Sequence, residues 1–164
     1  MTSPFREHAV ILLAEDREDD IQIIRRAFSE AFLTNPLQIV RDGEDAIDYL
    51  AGKGKYASRT EYPLPDLILL DLKMPKVDGF QVLEWIRQQS GIRGIPVVVL
   101  TSSDQLRDVN RAYGLGANSF LVKPTDFQNS VELARLLREY WMNLVKFPEA
   151  YRSTPKPNDT KNRS

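Results

Sequence analysis

One aspartate, Asp71, stands directly behind a run of four apolar residues at 67–70, and a turn that contains Pro75 and Gly79 follows it. The apolar run predicts a buried strand, so this strand ends on a carboxylate. In open parallel α/β sheets, ligands bind in the crevice beyond the carboxyl ends of the strands. Asp71 is therefore the first candidate for chemistry.

Reactive side chains also follow three other predicted strands, at the point where each strand ends. They are Glu15 and Asp16 after the first strand, Thr101 after the fourth and Lys123 after the fifth. Taken singly, each acid is more simply a helix cap or a solvated loop residue, Thr101 a turn residue and Lys123 a surface charge. If their strands are neighbours of the strand before Asp71, three carboxylates, a hydroxyl and an ammonium converge on one crevice.

Three carboxylates in one crevice repel each other, and this repulsion raises their pKa values unless a cation is present. Two or three oxygen ligands plus water suit Mg²⁺, which binds carboxylates together with a phosphoryl oxygen. A hydroxyl and a lysine suit a transferring phosphoryl group, whose charge is spread over three oxygens. The set thus suggests that Asp71 attacks phosphorus, while Lys123 and the metal neutralise charge and Thr101 donates a hydrogen bond.

The elements that must position these residues are read from the apolar pattern, which predicts five strands alternating with five helices. The strands are predicted at 10–14, 37–40, 67–70, 97–100 and 119–122. The helices are predicted at about 20–32, 44–51, 79–88, 104–115 and 126–144, with Asp19 or Asp20 capping the first, Ser103 or Asp104 the fourth and Thr125 or Asp126 the last. This alternation predicts a parallel sheet covered on both faces, without fixing the strand order. Residues 52–65 are predicted to be a long loop.

Length and composition narrow the class of protein. The 164 residues suffice for one domain, which we predict over 9–148, with a short segment at 1–8 before it and a polar, disordered tail at 149–164. The net charge of -1 offers no general attraction for nucleic acid, and no apolar stretch is long enough to cross a membrane, so a cytoplasmic protein is expected. Zero cysteines and a single histidine, His8, exclude thiolate chemistry and multi-histidine metal sites.

The joint motif pattern resembles the CheY-like receiver domains of two-component response regulators over about residues 9–144. The resemblance rests on the acidic pair at 15–16, the stretch from Asp71 through Met74-Pro75 to Asp78-Gly79, Thr101 followed by a small residue, and the stretch from Gly116-Ala117 through Phe120 to Lys123-Pro124. The spacings from Asp71 to Thr101 and from Thr101 to Lys123 also fit. It implies a flavodoxin-like five-stranded parallel sheet of order 2-1-3-4-5 with five helices.

The resemblance also implies a function and a set of roles. Asp71 would accept a phosphoryl group from a histidine of a partner kinase, in a Mg²⁺-dependent reaction. The metal ligands would be Asp16, Asp71 and the backbone carbonyl of Lys73, with Glu15 acting through water. The Lys123-Pro124 bond would be cis. Thr101 and Phe120 would form a switch that changes the surface of helix 4, strand 5 and helix 5. The protein would catalyse only its own phosphorylation and dephosphorylation.

A narrower resemblance concerns the partner. The loop at 15–20, the long connection at 52–65 and the ending at 140–148 are similar to the small stand-alone regulators paired with bacterial and cyanobacterial phytochrome histidine kinases. Only about 20 residues follow the last predicted helix, too few for an effector domain, so the output is expected to pass through another molecule.

Apolar residues continue past the end of the last predicted helix, which suggests a homodimer. The candidates for its contact surface are Tyr140, Trp141, Leu144, Val145 and Phe147. The alternative is that this segment folds back on its own domain.

Three alternative functions remain open at this stage. An aspartate-nucleophile phosphatase of the haloacid-dehalogenase type also places its nucleophile after a buried strand, but needs a second acid two residues on, where this chain has Lys73. A receiver-like binding module that is never phosphorylated would not need the complete set of reactive side chains. A flavin-binding flavodoxin would need a loop rich in Ser, Thr and Gly after the first strand, and this chain has none there.

Overall fold

A computed structural model describes residues 7–148, and its centre is a five-stranded parallel sheet of order β2-β1-β3-β4-β5. This is the predicted strand order. The strands are β1 (Ile11–Ala14), β2 (Leu37–Val40), β3 (Leu67–Leu70), β4 (Val97–Thr101) and β5 (Ser119–Val122). The three inner strands are buried along their whole length, as expected for a sheet covered on both faces.

Five α-helices connect or follow the strands. They are α1 (Glu18–Glu30), α2 (Gly43–Ala51), α3 (Gly79–Gln88), α4 (Leu106–Gly114) and α5 (Phe127–Leu137), and a π-helical segment at Arg138–Leu144 continues α5. Isolated helices of this length are not stable in water, so these helices are stabilised by packing on the sheet. In the part of the chain that the structure describes, no helix is long and apolar enough to cross a membrane.

Alternate residues of each inner strand face opposite sides of the sheet, and this alternation divides the core into two layers. Leu70 and Val99 pack with the apolar faces of α2, α3 and α4. Leu69 and Val98 pack on the other side with α1 and α5. Burying one such side chain fully stabilises the fold by about 1.5–3 kcal/mol.

Two predicted helix starts are wrong. Helix α1 begins at Glu18 with Arg17 before it, so Asp19 and Asp20 lie in its first turn instead of capping it. Acidic residues are favourable there because the amino end of a helix carries partial positive charge. Helix α4 begins at Leu106, later than Ser103 or Asp104 would place it, and Gln105 precedes it without a side-chain cap. Ser103 Oγ does not cap the helix but donates a 2.6 Å hydrogen bond to the Asp108 side chain.

The connection at 52–65 is an ordered lobe rather than an open loop. Gly54–Tyr56 forms a 3₁₀ turn, and the Arg59 guanidinium donates 2.8 Å hydrogen bonds to the carbonyls of Tyr49 and Leu50 at the end of α2. The rings of Tyr49, Tyr56 and Tyr62 contact each other, with centroids 4.9–6.0 Å apart. Arg59 thus satisfies carbonyls that the end of a helix leaves without partners.

The apolar ending of the chain divides between the core and the surface. Trp141, predicted as a dimer residue, is only 8% exposed and packs with Met142 in the core layer under α1 and α5. Val145 and Phe147 are half-buried against the same layer. These residues pack within their own domain, which, unlike packing between two chains, costs no entropy of association. The predicted tail at 149–164 and residues 1–6 lie outside the described residues.

Candidate functional site

The register of the sheet brings the predicted reactive residues to one edge. Ala14 pairs with Leu70, and Thr101 pairs with Val122, so the residues that follow β1, β3 and β5 stand side by side with Thr101. The backbone hydrogen bonds continue this alignment: Asp71 N–H donates to Ala14 O at 3.0 Å, and Lys123 N–H donates to Thr101 O at 2.8 Å. The reactive residues that the sequence places at separate strand ends therefore lie next to each other in the structure.

Asp71 is held rigidly at the centre of this crevice. It is 5% exposed, and its Oδ1 accepts a 3.2 Å hydrogen bond from the backbone N–H of Lys73. Gly79, the first residue of α3, approaches the backbone so closely that an added Cβ would lie 2.2 Å from Asp71 O. A side chain there would displace either α3 or the strand end, which gives Gly79 a steric reason to be glycine.

Lys123 joins the crevice through three carboxylates. Its Nζ lies 2.9 Å from Asp71 Oδ2, 2.9 Å from Asp20 Oδ2 and 2.5 Å from Glu15 Oε2. Asp20 was expected from the sequence only as a possible cap of the first helix; its place in the first turn of α1, above the strand ends, is the signal that could have assigned it to the site. The described residues contain no cis peptide bond, so the implied cis Lys123-Pro124 bond is not found. Pairing of β5 with β4 aims Lys123 into the crevice from a trans bond.

The charges in the crevice shift one another's pKa values. Burial raises the pKa of Glu15 to about 7, and the hydrogen bond from Lys123 opposes this only in part. Burial also acts to raise the pKa of Asp71, but hydrogen bonds from Lys123 and Glu15 outweigh it and lower that pKa. Burial would lower the pKa of Lys123, but its bonds to Glu15, Asp71 and Asp20 raise it. The nucleophile candidate and its lysine are therefore both charged at neutral pH.

We predict that the metal-free protein loses stability as pH rises. The pKa of Glu15 is raised from 4.5 to about 7 by folding, so its contribution is fully present below pH 4.5 and is lost as pH rises through about 7. Asp71 has the opposite effect, because folding lowers its pKa from the ordinary 3.8. Its contribution to stability is fully present above pH 3.8 and is lost as pH falls through the lowered pKa. In chelator, we expect urea unfolding to show a fall on the order of 2 kcal/mol between about pH 5 and 7.5.

The control for this pH dependence is Glu15→Gln, which cannot titrate at that position. We expect its unfolding free energy to be nearly flat over the same pH range. If the variant keeps the full slope of the wild type, another group is responsible and the assignment to Glu15 is wrong.

Thr101 carries the other polar group of the site. It is completely buried, and its Oγ1 has no hydrogen-bond partner within residues 7–148. A buried hydroxyl without a partner costs free energy and is rare in folded proteins. This hydroxyl is therefore available to donate to a group that enters the crevice.

Phe120 pairs with Val99 on the neighbouring strand, two residues before Thr101, and is half-buried against the core layer of α2, α3 and α4. Its backbone N–H donates a 3.1 Å hydrogen bond to the hydroxyl of Tyr113 on α4. This contact, which the sequence analysis missed, ties α4 to β5 at the predicted switch residue. It could not be read from the pattern because a tyrosine at that position is equally consistent with an exposed helix face.

The acidic residues at the edge fit a divalent cation. Glu15, Asp16 and Asp71 each offer a carboxylate oxygen, and these oxygens lie within 4.8 Å of one another. Asp16 is exposed, whereas Glu15 and Asp71 are buried. Hard oxygen ligands with one side open to water match the preference of Mg²⁺, which retains part of its hydration shell. The three acids are those that the sequence predicted, and no described residue outside this group forms a similar one.

Comparison with known proteins gives a consistent result. The family model of the response regulator receiver domain matches residues 11–135. A probable methanogenesis regulatory protein, FilR2 of Methanothrix harundinacea, is 39% identical over 142 residues, which are 85% of this chain and 87% of that protein.

Two solved structures are also similar. The phosphorylated cyanobacterial phytochrome response regulator RcpA superposes with a TM-score of 0.79 at 35% identity, over 86% of this chain and 99% of that one. The Mn²⁺-bound form of the response regulator Rcp1 gives a TM-score of 0.76 at 36% identity, over 85% of this chain and 99% of that one. The residues matched by the family model include every strand and helix that forms the crevice.

Proposed function

Since this chain belongs to the response regulator receiver domain family, we propose that Asp71 is the residue on which it receives a phosphoryl group from a histidine kinase. The observation that carries the assignment is the position of Asp71, buried at the centre of the crevice and 2.9 Å from Lys123 Nζ. We further propose that the protein catalyses only this phosphorylation and its reversal.

The side chains around Asp71 supply what the transfer needs. A carboxylate oxygen of Asp71 attacks phosphorus, an O–P bond forms, and the N–P bond to the kinase histidine breaks. The histidine nitrogen takes the bonding electron pair and then a proton. Lys123 and the Thr101 hydroxyl are placed to contact the phosphoryl oxygens, over which the negative charge is spread.

A divalent metal belongs to this chemistry, and we propose Mg²⁺. When bound, it supplies positive charge that offsets the carboxylates and the phosphoryl oxygens. Asp16 and Asp71 would hold it together with the backbone carbonyl of Lys73, and Glu15 would act through water. Support comes from the spacing of the three carboxylates and from the 1% exposure of Glu15, which keeps it behind the other two acids.

The output would pass through the surface of α4, β5 and α5. Phosphorylation gives the Thr101 hydroxyl a partner, and movement of Thr101 would leave space toward which Phe120 turns. The hydrogen bond between Phe120 N–H and the Tyr113 hydroxyl is placed to pass this movement to α4. Such a protein signals by protein contacts, without direct contact to nucleic acid or membrane.

A phytochrome histidine kinase is the partner we propose. Support comes from the likeness to the phytochrome response regulator RcpA, which extends over 86% of this chain and 99% of that one. The domain would extend over 9–148, in the cytoplasm where such kinases present their phosphohistidine.

The test uses Mg²⁺ and acetyl phosphate, followed by intact-mass measurement of the protein. We expect a mass increase of one phosphoryl group, slow loss of this group, and no increase when a chelator is present. A phytochrome histidine kinase carrying labelled phosphate should transfer it to this protein faster than an unrelated kinase does. Rapid turnover of many phosphoesters would instead favour a phosphatase, and no adduct under any condition would favour a binding module.

We also propose a homodimer, because exposed apolar residues concentrate on one side. Among residues 7–148, six of the eight exposed large apolar side chains lie on α4, β5, α5 or the segment after it; these are Leu106, Tyr113, Val122, Leu136, Tyr140 and Leu144. A groove of about 340 Å³ runs between β5 and α5 and includes Leu136, Tyr140 and the edge of Trp141. Monomeric proteins seldom expose large apolar patches, so the largely apolar lining of this groove supports the proposal.

The dimer is tested by charged substitutions on that surface. We expect light scattering of the wild type to give the mass of a dimer, with or without acetyl phosphate, and Leu136→Glu combined with Leu144→Glu to give a monomer. Truncation before Trp141 is a poor test because it removes core residues. Ala51→Glu is the matched control, since Ala51 is exposed at the end of α2, which packs on the other face of the sheet from α5. Identical masses for all three proteins would contradict the proposal.

A further inference from the structure

All three N–H donors of the Lys123 ammonium are already used in hydrogen bonds before any phosphoryl group binds. A lysine ammonium has three N–H donors, and here three carboxylates accept from it, at 2.5 Å for Glu15, 2.9 Å for Asp20 and 2.9 Å for Asp71. The Lys123 side chain is 12% exposed, so water has little access to it. Each N–H donor of Lys123 therefore has its own carboxylate partner.

Two of these three partners have another task. Glu15 and Asp71 belong to the group of carboxylates that could hold a cation, whereas Asp20 does not. A cation bound to that group would draw charge from Glu15 and Asp71 and would repel the ammonium of Lys123. Asp71 Oδ2 also becomes a poorer acceptor once an O–P bond forms on Asp71. Asp20 is thus the partner whose hold on Lys123 is independent of both events.

The location of Asp20 fits this role. It lies in the first turn of α1, and its side chain is 24% exposed, against 1% for Glu15 and 6% for Asp71. Asp20 therefore stands on the solvent side of the ammonium, where a long lysine side chain would otherwise turn outward to water. Arg17 Nε lies 3.7 Å from the same Oδ2 atom of Asp20 and helps to fix the carboxylate.

We propose that Asp20 is a positioning residue, which keeps the ammonium of Lys123 in the crevice while the donor that faced Asp71 turns to a phosphoryl oxygen. This inference rests on the proposed function of Asp71. It adds a contact from α1 to the reaction, since the helix that carries Asp20 also borders the mouth of the crevice. Asp20 itself contacts neither phosphorus nor its oxygens.

Phosphorylation rates with acetyl phosphate and saturating Mg²⁺ test this role. We expect Asp20→Ala to slow adduct formation about five- to tenfold, because a misplaced catalytic group loses rate steeply with distance. Asp20→Asn keeps an acceptor for Lys123 and should lose less. Mg²⁺ affinity should stay within about twofold of the wild type, because Asp20 is outside the ligand group.

The matched control is Asp19→Ala. Asp19 lies in the same helical turn and carries the same charge, but it pairs with Arg17 and not with Lys123. Its rate should equal that of the wild type. An unchanged or faster rate for Asp20→Ala, or a parallel loss of Mg²⁺ affinity, would overturn the proposal, since Asp20 would then be idle, a competitor for the ammonium or a metal ligand.

A second readout does not depend on phosphorylation. In metal-free protein labelled with ¹⁵N-lysine, the ammonium of Lys123 should give a distinct NMR signal because its protons are held by carboxylates. We expect the signal to broaden or vanish in Asp20→Ala, to persist in Asp20→Asn and to be unchanged in Asp19→Ala. Persistence in Asp20→Ala overturns the proposal. If the wild type forms no adduct but this signal responds as expected, the proposed function fails while the hold of Asp20 on Lys123 stands.

Discussion

Asp71→Asn should abolish phosphorylation by acetyl phosphate, with a loss of at least about 100-fold in the rate of adduct formation. The amide cannot form the O–P bond at neutral pH, and it removes one of the carboxylates that attract the metal. The measurement is intact mass after incubation with Mg²⁺ and acetyl phosphate. Folding should be retained, because an amide fills the same space and accepts the same hydrogen bond from the Lys73 N–H.

Asp104→Asn serves as the control for this substitution. Asp104 is an exposed aspartate in the loop after β4, so its change removes the same charge without altering the crevice. Its adduct should form at the wild-type rate. An equal adduct on Asp71→Asn would move the acceptor to another residue, and peptide mapping of the adduct would then identify it.

Lys123→Met should affect both reactivity and stability. It removes the cation that faces Glu15, Asp20 and Asp71, and we expect phosphorylation to fall about 100-fold because charge on the transferring group is no longer neutralised. Without metal, the remaining carboxylates repel each other in a buried site, so the unfolding free energy should drop by about 3 kcal/mol at pH 7.5. Urea unfolding in the presence of chelator measures this drop.

The direction of rescue distinguishes charge from packing in Lys123→Met. Mg²⁺ should restore part of the lost stability, and so should a pH below about 7, where Glu15 takes up a proton. Lys76→Met is the control, since Lys76 is 61% exposed and pairs with Asp42 outside the crevice. A loss of stability in Lys123→Met that neither Mg²⁺ nor acid reduces would indicate lost packing instead of unpaired charge.

Two features of the structure distinguish a phosphoacceptor from the alternative functions. A phosphatase with an aspartate nucleophile needs a second acid near the first, and the position two residues after Asp71 is Lys73, whose side chain is exposed. A binding module without phosphorylation would not need a buried hydroxyl without a partner at Thr101. Both features favour the phosphoacceptor.

The proposed dimer and the proposed switch would share the surface of α4, β5 and α5. Tyr113 accepts the hydrogen bond from Phe120 and is itself 49% exposed on α4. A change at Phe120 would therefore reach a side chain that a partner or a second copy can contact. In this arrangement, phosphorylation and assembly would be coupled because they use the same helix.

The sequence by itself determined the fold class, the five strands and five of the residues that meet in the crevice. Apolar runs such as 67–70 define buried strands through local composition, and strand ends are marked by the first polar or charged residue. Since parallel strands align their carboxyl ends, Asp71, Thr101 and Lys123 could be placed at one edge without coordinates. The starts of the first and fourth helices could not be read from the sequence, because neighbouring residues such as Asp19 and Asp20, or Ser103 and Asp104, can equally serve as caps.

Only the tertiary structure decided which charges meet and which apolar residues are covered. The contact between Asp20 and Lys123 joins positions 103 residues apart, and nothing in the local pattern separates Asp20 from its neighbour Asp19. Trp141 likewise resembles its neighbour Tyr140 in sequence, yet one is buried and the other 55% exposed. Local composition determines secondary structure, whereas the partner of a side chain depends on how distant elements pack, which no single stretch of sequence encodes.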